Sequence, residues 1–127
     1  MATVELRVRG GASLRCELAD SFWRRFLGLM GRSGVARGEG LLFVPGGAIH
    51  TAFMRFEIDA VFIARDGTVV RVAERVPPWR FRAAGREARF LVELAGGESA
   101  RLGLIEGSRL DLADGLGDWS MLAVRRR

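Results

Sequence analysis

The chain contains no lysine, asparagine, glutamine or tyrosine, and its 127 residues include one cysteine, one histidine and three prolines. Each shortage excludes something. A single cysteine, Cys16, forbids an internal disulfide, and with His50 as its only companion it forbids the usual Cys/His zinc sets within one chain. Cys16 alternates with Leu14 and Leu18 and reads as a core thiol. No metal and no cofactor is expected. The N-terminus, MATVELRVRGG, has no apolar run of the signal-peptide kind. No segment reaches the ~18 uninterrupted apolar residues of a membrane span, so a soluble, cytoplasmic protein is expected.

Because lysine is absent, all 20 basic residues are arginine, set against 15 acids for a net charge of +5. Missing AT-rich codons alongside abundant arginine read as the codon usage of a high-GC bacterium. Most arginines alternate with apolar residues or acids, as at Arg7, Arg9 and Arg71, which is the pattern of a solvated strand face. Only residues 80–89 and Arg125, Arg126 and Arg127 are locally dense, so the composition as a whole argues against nucleic acid as a partner. What is abundant is apolar: 49% hydrophobic residues and a mean hydropathy of +0.12 suit one core and a single domain over residues 1–127.

The apolar residues carry the periods of secondary structure. Val4, Leu6 and Val8 alternate with charged residues, Gly10-Gly11 turns the chain, and Leu14, Cys16 and Leu18 repeat the alternation, which predicts a hairpin. The period then changes: behind Asp20 or Ser21 as cap, Phe22, Phe26, Leu29 and Met30 share one face with Trp23 and Leu27 beside them, predicting one short helix near residues 21–30. Residues 31–40 are glycine-rich without the GK[ST] or strand–turn–helix context of a phosphate loop, and read as a mobile loop. Strand character resumes at residues 41–44, stops at Pro45-Gly46-Gly47 and returns through 49–64. Asp66-Gly67 predicts a hairpin into TVVRVAERV, and Pro77-Pro78-Trp79 ends that strand in an extended corner. An arginine-rich loop follows, then the strand ARFLVELA, the turn Gly96-Gly97, and a short helix or turn leading into a last strand. About seven short strands with one helix predict a mainly β, compact sandwich or barrel-like fold.

Residues 49–64, IHTAFMRFEIDAVFIA, hold the candidate site. Split by strand parity, the even positions from Ala52 to Ala64 form an apolar face headed by His50, and the odd positions place Arg55, Glu57 and Asp59 in a row with apolar ends. A carboxylate among Ile58, Val61, Phe62 and Ile63 faces burial, and a buried charge must be paired or hydrogen-bonded. Two readings stand: Asp59 ties down backbone amides or an arginine at a strand bend, or it lines a cleft. His50 is read as a rim residue or a general base.

GLM at 28–30, GEGLLFV at 38–44, IHTAFMRFEIDAVFIARDGTVVRV at 49–72 and VELAGGESARLGLIEGSRL at 92–110 together resemble the Domain of Unknown Function 192 family, over nearly the whole chain. The most specific part is Met54, then Ile58-Asp59, then Phe62. Glu93 and Gly96-Gly97 also fall on motif positions, whereas Glu57 stands where the family often has proline. The resemblance implies a mainly β domain with one helix and no assigned activity.

The residues permit three functions. The first is ligand binding, in a cleft walled by Phe53, Met54 and Trp79 with polar contacts from His50, Arg55, Asp59 and Glu93. The second is an interaction module using exposed aromatics or an open sheet edge, as a monomer or weak dimer whose partner is a protein. The third is a hydrolase using Asp59 with His50 or Glu93, which ranks last because no nucleophile elbow and no second histidine accompany them.

Overall fold

The computed structural model describes residues 3–19, 35–44, 48–50, 56–112 and 119. It is mainly β, with nine strands and one short helix among the described residues. In chain order these are β1 (Thr3–Val8), β2 (Ser13–Ala19), β3 (Glu39–Phe43), β4 (Ala48–His50), β5 (Ile58–Ala64), β6 (Val69–Val76), β7 (Phe81–Ala83), β8 (Ala88–Ala95), α1 (Glu98–Arg101) and β9 (Leu110–Leu112). Seven strands make one curled, half-barrel sheet in the order β6-β5-β8-β3-β2-β1-β9, while β4 and β7 pair as a separate ribbon. No helix among the described residues is long and apolar enough to cross a membrane.

The predicted opening hairpin is present: β1 and β2 pair antiparallel from Thr3↔Glu17 to Arg7↔Ser13, with Leu6, Val8, Leu14, Cys16 and Leu18 buried on one face. Among the described strands of the large sheet, only β2 and β3 run parallel. A parallel pair needs a long crossover, usually helical, and the helix expected near residues 21–30 falls in this connection, outside the described residues.

The central strands carry apolar residues on both faces. A first layer contains Leu42, Val61, Ile63, Phe90, Val92 and Leu94 together with the buried side of β1 and β2. A second contains Leu41, Phe43, Ile58, Ala60, Phe62, Ala73, Val76 and Leu91. Truncating Phe62 to alanine would cost about 3–5 kcal/mol. The helix-or-turn expected after Gly96-Gly97 is α1, and the strand beyond it is β9, which pairs with β1 at Leu6↔Leu112.

Three local expectations are corrected. Residues 49–64 are not one strand: β4 ends at His50, paired to Phe81 across the ribbon, and β5 starts at Ile58, where β6 and β8 both become available through Ile58↔Val76 and Ile58↔Ala95. The arginine-rich loop contains strand β7. The corner at Pro77-Pro78-Trp79 is not extended throughout, because Trp79 takes a left-handed φ of 64°.

Candidate functional site

Asp59 is the second residue of β5, opposite Leu94 of β8, and its side chain is 0% exposed. Its Oδ1 accepts the Arg75 amide at 2.8 Å, and its Oδ2 accepts the Ser99 amide at 2.8 Å and the Ser99 hydroxyl at 2.5 Å. The Gly97 amide divides itself between both oxygens at 3.1 Å. Three amides and a hydroxyl, brought from β6 and from the start of α1, thus converge on one carboxylate of β5. The reason lies in α1. A helix leaves its first amides without intrahelical partners, and here the cap position is Gly97, which has no side chain to supply an acceptor. Asp59 supplies it from a neighbouring strand, and the Arg75 amide reaches the same carboxylate from a left-handed φ of 49°.

Outside this knot lies an ion pair, Arg75 Nη1 to Glu57 Oε1 at 2.6 Å, with both side chains substantially exposed. Such a pair contributes little stability, but it lies directly over the Gly96-Gly97 turn. A Cβ at Gly96 would stand 2.8 Å from Glu57 Cγ, and one at Gly97 would stand 2.6 Å from Arg75 Nη2. A second carboxylate holds the other side of α1. Glu98 is buried, accepts the Gly38 amide at 2.8 Å, and receives Arg101 Nε at 2.5 Å and Nη2 at 2.8 Å. The Arg101 hydrogen bond, aided by the Gly38 amide and opposed by burial, holds the Glu98 carboxyl below its ordinary value of 4.5.

The residues expected to share a site are distributed. Phe53, Met54 and Arg55 lie outside the described residues, and His50 is placed only through its backbone pairing with Phe81. Glu93 is buried in β8, facing Leu41 and Ala60. Ala60 belongs to the second apolar layer, and neighbouring strand residues point to opposite faces, so Glu93 and Asp59 lie on opposite sides of the sheet. Trp79 stands 60% exposed at the corner before β7.

A cleft of about 600 Å³ opens between β6 and the segment after β7, lined by Val70, Arg71, Ala83, Ala84, Gly85, Arg86, Glu87 and Glu106. Val70 and Ala84 pack on the second apolar layer, and Arg71 Nη1 donates to the Ala83 carbonyl. A smaller depression of about 300 Å³ lies among Glu5, Ser13, Leu14, Arg15, Gly38 and Glu39. Of the expected site residues whose side chains are described, Asp59, Trp79 and Glu93, none lines either one. Ser99, Glu98 and Arg75 were missed in the sequence, although Gly96-Gly97 before Glu98-Ser99 is a usable signal, a helix start whose cap has no side chain. Among the described residues, no group of three or more His, Cys, Asp or Glu is placed to hold a metal ion.

Comparison with known proteins gives consistent relatives. A UPF0127 protein of Pyrococcus furiosus is 34% identical over 113 residues, covering 84% of this chain and 95% of that protein. One from Thermococcus sibiricus is 29% identical, covering 84% of this chain and 67% of that protein. Two crystal structures share the fold. A candidate transcription regulator from Sinorhizobium meliloti superposes with a TM-score of 0.75 at 31% identity, over 87% of this chain and 92% of that one. A protein of unknown function from Novosphingobium aromaticivorans gives 0.76 at 25% identity, over 87% and 84%. The family model described as DUF192, Uncharacterized ACR, matches residues 4–112, a span that takes in Asp59, the Gly96-Gly97 turn and α1, and the chain therefore belongs to this family, for which no specific activity is established.

Proposed function

We propose that the protein is a binding module for a small charged ligand, held in the cleft between β6 and residues 83–87, and that Asp59 builds the frame without touching that ligand. The cleft carries this reading. Its volume of about 600 Å³ is of the size that small-molecule sites have, and it joins an apolar wall at Val70 and Ala84 to two guanidinium groups, Arg71 and Arg86, and two carboxylates, Glu87 and Glu106. That lining suits a ligand bearing charges of both signs. We rank this cleft ahead of one near Met54 and Asp59 because the Asp59 oxygens already accept from Arg75, Gly97 and Ser99. The description of the Sinorhizobium relative as a candidate transcription regulator is consistent with an effector-binding role.

The test is a thermal-unfolding screen against amino acids, organic acids and nucleotides. A ligand at about 100 times its Kd adds about 2.7 kcal/mol, a rise of several degrees. Gly85 is the control position: a Cβ there meets nothing within 4 Å, so Gly85→Trp fills the cleft without strain and is expected to abolish the rise. A rise that survives Gly85→Trp places the ligand elsewhere and defeats the proposal, as does a screen with no rise at all.

A further inference from the structure

We infer that a docking strip for single-stranded nucleic acid is centred on Trp79, Arg80, Phe81 and Arg82, none of which lines the small-ligand cleft. The first observation is exposure. Among the described residues three large hydrophobic side chains are exposed, and two of them, Trp79 at 60% and Phe81 at 63%, stand two positions apart. Neither borders the cleft.

The second observation is backbone strain. Trp79 holds a left-handed φ of 64°, a conformation that costs an L-residue about 1–2 kcal/mol and that glycine adopts freely. Burial of the indole does not repay that cost. The ring is nonetheless presented firmly: two prolines precede it, and two residues later Phe81 is paired to His50 in the ribbon. Two residues of chain span at most about 7 Å, so one short ligand can meet both rings.

The third observation is charge. The segment WRFRAAGREAR contains Arg80, Arg82, Arg86 and Arg89 against the single acid Glu87. Arg80 Nη1 donates to the Trp79 carbonyl at 3.2 Å and Arg82 Nη1 to the Phe81 carbonyl at 2.8 Å, which folds both guanidinium groups back along the chain beside the aromatic positions. Arg89 is tied in the same manner to the Arg86 carbonyl at 2.7 Å. Over the whole chain arginine reflects composition, but here it is interleaved with exposed aromatic faces.

Aromatic platforms interleaved with cations fit a strand whose bases are free to stack while its phosphates meet the arginines. An acidic peptide would satisfy the charges and leave the rings unused, and a duplex keeps its base faces stacked on one another. Single-stranded nucleic acid uses both features of the strip.

The experiment is fluorescence anisotropy of labelled thymidine and uridine oligonucleotides of about 12 nucleotides, within the span of single-strand binders, at low salt. Trp79→Ala and Phe81→Ala are each expected to weaken binding about tenfold or more, the loss of one stacked base, while Trp79→Phe keeps most of the affinity. Trp79→Gly separates binding from folding: it removes the strain, unfolds no earlier than wild type, and still loses the affinity. Removing Arg80 and Arg82 together is expected to flatten the slope of log affinity against log salt by about 1.4, at about 0.7 per phosphate contact. Polyglutamate and a hairpin duplex should compete at least about tenfold less well than the single strand. The inference is overturned if neither oligonucleotide binds, if binding ignores Trp79→Ala and Phe81→Ala, or if either competitor matches the single strand.

Discussion

Asp59 shows what one side chain can do at the meeting of three segments. Its burial, and the need for a carboxylate there to be satisfied, were legible in the apolar run around it. Its donors were not, because Arg75, Gly97 and Ser99 lie 16, 38 and 40 residues further along the chain. Alternation reports which face a residue takes but not what later segment folds over it. The geometry predicts the cost of disturbing the knot. Asp59→Asn turns an acceptor toward three amides into a group that is half donor, and urea unfolding should show a loss of about 3 kcal/mol or more. Ser99→Ala removes one hydroxyl donor, leaves the amides in place, and should cost about 1–2 kcal/mol. A near-neutral Asp59→Asn would mean that the carboxylate is held for something other than stability.

Elements were legible where a strand is long and half-buried. The alternations of β1 and β2, and the Asp-Gly hairpin before β6, could be read directly. Two kinds of element could not. The three-residue strand β7 lies in an arginine-rich stretch that carries no period, and the parallel union of β2 with β3 leaves no mark in either strand. Helix α1 is a single turn, far too short to persist by itself in water, so its existence depends on Asp59 at one side and Glu98 at the other. That dependence is sensitive to acid. The folded Glu98 carboxyl titrates below its ordinary 4.5, so its contribution is fully present above that pH and is lost as the pH falls through the lowered value. Urea midpoints measured at pH 7 and near pH 3 should therefore differ more for wild type than for Glu98→Gln, which lacks the titrating group. Equal acid losses in the two proteins would show that Glu98 has no part in the acid sensitivity.

The sheet as a whole has two apolar layers, and the single thiol lies in the first of them. Cys16 is fully buried and its pKa is pushed up to about 12 by burial, so almost no thiolate exists at neutral pH. Labelling by a thiol reagent at about pH 8 should then proceed no faster than the unfolding rate found from urea kinetics; faster labelling would reveal local opening of the first layer. Family membership was legible because its motifs span most of the chain, whereas the aromatic strip was legible only in part, since Trp79 reads as a cleft wall or an exposed aromatic and nothing in the sequence marks Phe81 as its exposed neighbour. One pairing also bears on how the molecule is made. Strand β1 lies between β2 and β9, so its outer edge meets no partner until Leu112 has emerged from the ribosome. At about 5–20 residues per second, the roughly 100 residues that separate the two strands take about 5–20 s to synthesise. For that interval the nascent chain carries an open strand edge, the kind of surface that pairs with the wrong neighbour, and its earliest encounters in the cell are set by the order of translation.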